Sequence, residues 1–87
     1  MYSIKTTSHI DKIFIKLSKK NPKQMSIIGK KVEEIIPNPN RYKNLRAPLN
    51  EWKRVHIDKH FVLAFSVDEE NKIITLEDYD HHDNIYK

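Results

Sequence analysis

The chain has 87 residues, a net charge of +4 and no cysteine, which points to a single domain spanning 1–87 and excludes a disulfide framework or thiolate metal site. No apolar run approaches the roughly 20 residues of a spanning helix. The polar start MYSIKTTSHIDK lacks the apolar centre of a signal peptide, so a soluble, cytoplasmic protein that meets no membrane is expected.

Charge is divided unevenly along the chain. Residues 1–61 hold 14 Lys and Arg against 5 Asp and Glu, whereas residues 62–87 hold 2 against 7. A basic body suits an anionic partner, although the lysines of KLSKKNPK read as the solvated face of a helix. A single glycine argues against any glycine-rich phosphate loop.

In chain order, Tyr2 and Ile4 alternate with Ser3 and Lys5, which predicts a short strand. Ser8 and Asp11 have the spacing of a capping box and predict a helix start. Ile10, Ile13, Phe14 and Leu17 form one apolar helical stripe. Asn21 and Pro22 suit the cap and first turn of a second helix. Met25, Ile28, Val32, Ile35 and Ile36 form its stripe, and Pro37 and Pro39 end it. Both stripes read as core.

RYKNLRAPLNE is a basic loop, after which the period changes to two. In WKRVHI, Val55 and Ile57 point one way and Trp52, Arg54 and His56 the other. A turn at Asp58-Lys59 leads into HFVLAFSV, apolar on both faces like a central strand. A second turn at 68–71 leads into KIITLEDY, expected to end at Tyr79. The order β-α-α-β-β-β predicts an α+β fold, with a helical hairpin on one face of a mostly antiparallel four-stranded sheet. Arg54 and His56 then lie on the uncovered face, and the tail YDHHDNIYK begins at its rim.

The five histidines allow two chemistries. A zinc site would gather His56, His60, His81 and His82, with Asp80 and Asp83 nearby. A turn separates His56 from His60, and adjacent His81 and His82 diverge on extended chain, so no metal or other cofactor is expected. Cleavage of RNA by its own 2′-hydroxyl needs a base, an acid and cations for the phosphate. Histidine serves either proton role, arginine forks onto phosphate, and an aromatic ring stacks on a base. Arg54, His56, His82 and Tyr86 would supply these parts. Without further comparison, the surface reading is preferred for the whole set, as residues of a small polar protein, and His9 reads that way in any case.

Nearly the whole chain resembles the RelE/ParE superfamily of type II toxin–antitoxin systems. The likeness rests on LRAPLNEWKRVHIDKHFVLAFSV and on the closing HHDNIY. It implies a metal-independent endoribonuclease that cleaves mRNA in the ribosomal A site and is held inactive by a cognate antitoxin in a hetero-oligomer. The histidines resemble those of the YafQ-like branch: His56 and His82 match its catalytic histidines, and Tyr86 its aromatic position. Arg54 and His60 join the catalytic set, and Arg46, Lys53 and His81 are expected to bind substrate. The resemblance leaves open which histidine is base and which is acid. His60 stands where that branch carries an aspartate, the loop near Asn44 and Leu45 lacks a histidine, and Val62 replaces a basic residue. The superfamily's other branch implies a DNA gyrase poison without nuclease activity, and a plain basic RNA-binding module is a third reading.

Overall fold

The computed structural model describes residues 1–85. Strand β1 (Ser3–Thr6) leads into helices α1 (Ser8–Lys20) and α2 (Pro22–Ile35). A single 3-10 turn (Pro39–Arg41) opens the long loop, followed by β2 (Lys53–Ile57), β3 (Phe61–Asp68), β4 (Ile73–His81) and a short helix, α3 (His82–Ile85). The sheet order is β1-β4-β3-β2. β1 runs parallel to β4, and the other pairs are antiparallel. The α+β expectation holds.

Local chemistry sets the helix boundaries. Thr7 caps α1 by accepting the Ile10 N–H at 3.1 Å. This corrects the expected cap at Ser8: the Asp11 N–H already reaches the Thr7 carbonyl at 3.0 Å, so the first helical bond begins one residue earlier. Asn21 caps α2 by accepting the Gln24 N–H at 3.1 Å, with Pro22 in the first turn. The hairpin packs Ile10, Ile28 and Ile35 against Val55, Ile57, Leu63, Phe65, Ile74, Leu76 and Tyr79. Each fully buried side chain of this size contributes about 1.5–3 kcal/mol relative to exposure.

β4 departs from simple alternation. Ala64 pairs with Asp78 while Phe65 pairs with Leu76, so Glu77 is an extra residue, a β-bulge. The bulge lets Ile74, Leu76 and Tyr79 all join the core. Beyond it, Asp80 pairs with Val62, which also pairs with His56. Residues directly opposite share a sheet face, so Asp80 and His56 lie together on the face away from the helices. β4 runs to His81 rather than ending at Tyr79, because Phe61 pairs with His81. Trp52, expected within a strand, precedes β2 and closes the loop: its N–H donates to the Leu49 carbonyl at 3.0 Å, and its carbonyl accepts from Leu45 at 2.8 Å. No helix among the described residues is long and apolar enough to cross a membrane.

Candidate active site

The uncovered face of the sheet forms one wall of an open cleft of about 840 Å³. Arg54 and His56 reach it from β2, one turn of the pleat apart, and His82 and Asn84 reach it from α3. The opposite wall is the loop from Asn44 to Leu49, which brings in Arg46. Across the sheet from Arg54 and His56 stand their β3 partners Ala64 and Val62, both completely buried. Val62, where the resemblance expects a basic residue, is thus a buried apolar neighbour of His56.

The rings of His56 and His82 stack with centroids 5.8 Å apart and planes 25° from parallel. Partial loss of hydration, then the Arg54 guanidinium, then the neighbouring His82 hold the His56 pKa below its ordinary 6.5. The shift favours the neutral ring, which has a lone pair available. His82 has Asp83 beside it, Nδ1 to Oδ1 3.6 Å. Such a cleft pairs two proton carriers with fixed cations, the combination that phosphoryl chemistry requires.

Three expected residues lie elsewhere. Lys53 alternates away from Arg54, and its ammonium donates to the Tyr42 carbonyl at 3.3 Å and to Asn44 Oδ1 at 3.0 Å. It holds the loop and does not line the cleft. His60 and His81 form a second stacked pair, with centroids 5.9 Å apart and planes 3° from parallel. Neither lines the cleft, so the four histidines form two pairs rather than one cluster. Among the described residues, no group of three or more His, Cys, Asp or Glu side chains is placed to hold a metal ion. Tyr86 lies outside the described residues. His9, read as a plain surface group, has a partner: its Nε2 lies 2.9 Å from Asp78 Oδ1.

The sequence reading missed Asn44, Leu49, Asn84 and Ile85 as cleft residues. A signal was present for Asn44, which faces Asn50 across six residues and closes the loop by donating to its carbonyl at 2.7 Å. Asn84 stands two residues after His82, and only the helical turn of α3 brings both to one cleft.

No family model matches the chain. A protein of Methanosarcina mazei described as uncharacterized is 64% identical over 86 residues, which is 99% of this chain and 100% of that protein. A Methanocaldococcus jannaschii protein named "Putative toxin RelE4" is 60% identical over 87 residues, 100% of this chain and 93% of that protein. Among solved structures, YafQ from Escherichia coli superposes with a TM-score of 0.76 over 100% of both chains at 16% identity. A chain of the RelBE2 toxin–antitoxin complex of Mycobacterium tuberculosis gives 0.78 over 93% of this chain and 98% of that one at 19% identity. The fold is thus that of the small RelE-like toxins. At 60% identity over its full length to a RelE relative, the chain belongs to the RelE toxin family.

Proposed function

We propose that this toxin is a ribosome-dependent mRNA endonuclease. The observation that carries the reading is the stacked His56–His82 pair beside Arg54 in one open cleft. His56, held neutral, takes the proton of a ribose 2′-hydroxyl. The resulting oxygen attacks the adjacent phosphorus, and the bond to the 5′ oxygen breaks. His82 gives its proton to that leaving oxygen. The products are a 2′,3′-cyclic phosphate and a free 5′-hydroxyl. Arg54 and Arg46 stabilise the pentavalent phosphate, and Tyr86 would stack on or orient the scissile nucleotide. Each proton has an imidazole to carry it, so the reaction calls for no metal.

The cleft is wide and open, and the ribosome would supply the positioning that a closed pocket supplies elsewhere. Free RNA should be a poor substrate. A cognate antitoxin would hold the chain inactive in the cytoplasm, as the RelBE2 relative was solved in a toxin–antitoxin complex.

Primer extension on actively translated mRNA tests the reading. The parent chain should leave discrete cleavages within codons, and the His56→Ala/His82→Ala double variant should leave none. Cleavage by the double variant at the parent rate sinks the mechanism. Intact mRNA together with inhibited DNA supercoiling would replace it with gyrase poisoning. Growth arrest on expression, relieved by the product of the adjacent gene, tests the antitoxin.

A further inference from the structure

His82 sits on a helix of four residues. Isolated helices shorter than about 12 residues are marginal in water, so its placement must come from tethers. Three surround it. The His82 N–H donates to the His60 carbonyl at 2.7 Å, which ties the start of α3 to the turn before β3. The Asp83 N–H donates to His81 Nδ1 at 3.2 Å, and the His81 ring is fixed by stacking on His60 and by edge contact with Phe61. The third tether is Asp80, whose Oδ1 accepts the His81 N–H at 2.7 Å and the Asn84 side-chain amide at 3.0 Å. One carboxylate oxygen therefore holds the chain on both sides of His82. Asp80 is half-buried on a central strand and shares the sheet face of His56.

We infer that Asp80 is a positioning residue for His82, fixing the turn of α3 so that the His82 ring stacks on His56. The inference rests on the endonuclease reading of the same cleft. Asp80 touches no reacting atom. It acts by setting where the proton donor stands, and the leaving oxygen tolerates little displacement: an error near 1 Å can cost about 100-fold in rate.

The test uses the full chain and two kinds of readout. Asp80→Leu removes the acceptor at similar volume, whereas Asp80→Asn keeps an oxygen in the same place. By NMR, Asp80→Leu should speed amide exchange at His82 and Asp83 by about tenfold or more, as opening of the turn no longer breaks these bonds. It should also move the His82 ring protons as the stack on His56 is lost. Asp80→Asn should retain parent behaviour in both. In the translated-mRNA assay, Asp80→Leu should lower kcat by about 10–100-fold with KM unchanged, and Asp80→Asn should recover most of the loss. Asn84→Ala cuts only the outer tether from an exposed residue, and should give the same changes at smaller size even if Asp80→Leu fails to fold. Parent-like exchange, ring shifts and kcat in Asp80→Leu or, should that variant not fold, in Asn84→Ala overturn the inference. A parent chain that leaves mRNA intact removes the nuclease reading alone, because exchange and ring shifts still decide whether Asp80 places His82.

Discussion

The side-chain amide of Gln24 donates to the hydroxyl of Tyr79 at 2.7 Å, both residues being buried. The bond joins α2 to β4, the strand whose end carries His81 and leads into His82. Tyr79 also stacks on Phe61, with centroids 5.4 Å apart, and meets the edge of Phe14. A polar pair inside an apolar core contributes only when both halves are present.

Tyr79→Phe should therefore cost about 1–3 kcal/mol, because it strands the Gln24 amide away from water. The Gln24→Leu/Tyr79→Phe double variant should recover most of that loss. Urea denaturation of the single and double variants measures both. A double variant less stable than the sum of its singles would contradict this account of the pair.

The pH profile follows from the depressed pKa of His56. In its proposed role as base it works only when neutral, so kcat/KM should hold steady down to below pH 6.5 and fall only at more acidic pH. Arg54→Gln should move that acidic limb upward, since Arg54 is one of the groups depressing the value. Stability carries the same sign. Between the folded pKa of His56 and about 6.5 the unfolded chain binds more protons, so stability rises with pH across that window. His56→Gln should flatten this slope in denaturation series at stepped pH.

Arg54→Ala should lower kcat by about 100-fold, the usual scale for removing one donor aimed at developing negative charge. Arg54→Lys should recover part of this, because an ammonium keeps the charge and loses the fork. Single-turnover cleavage on translated message separates this effect from binding.

The two histidine pairs should differ in effect. His56→Ala should cost about 100- to 10,000-fold in cleavage rate, the range for a lost general base. His60→Ala should cost less than about tenfold, since His60 lines no part of the cleft, its backbone carbonyl still accepts from His82, and only the ring contact that steadies His81 is lost. Equal losses at the two positions would place His60 in the chemistry after all.

Ile10 and Ile57 are completely buried on opposite layers of the core. Truncating either to Ala should cost about 2–5 kcal/mol from lost burial and the cavity left behind. Ile15→Ala, on the exposed side of α1, should cost little. Thermal melting compares the three.

Much of this architecture was legible because it rests on period. The stripes of α1 and α2 and the alternation of β2 are local patterns with one solution each. Arg54 and His56 followed from that alternation, and so did the inward direction of Lys53, which was nonetheless assigned to substrate. Adjacent hydroxyls at Thr7 and Ser8 offer two caps to the same helix, and the hydrogen bonds from Ile10 and Asp11 to Thr7 separate them. The pairing of His56 with His82, and of His60 with His81, depends on the register between β3 and β4 and on the turn of α3. Register is a long-range property, set by which apolar side chains reach the helices, and no short window contains it.

In the run ITLEDYD, strict alternation would place Asp78 and Asp80 beside Leu76, facing the helices. The extra residue at Glu77 acts as a half-period phase shift within one strand. Before the shift, β4 is written as core; after it, the same strand is written as the rim of the cleft, with Tyr79 still turned inward. Removing Glu77 together with its phase shift would leave Leu76 and Tyr79 facing the helices and Asp78 and Asp80 on the open face, because the residue lost is the extra one. Keeping Glu77 but forcing regular pairing would instead set both carboxylates against the isoleucines of the hairpin, so it is the bulge, and not the Glu77 side chain, that fold and site share.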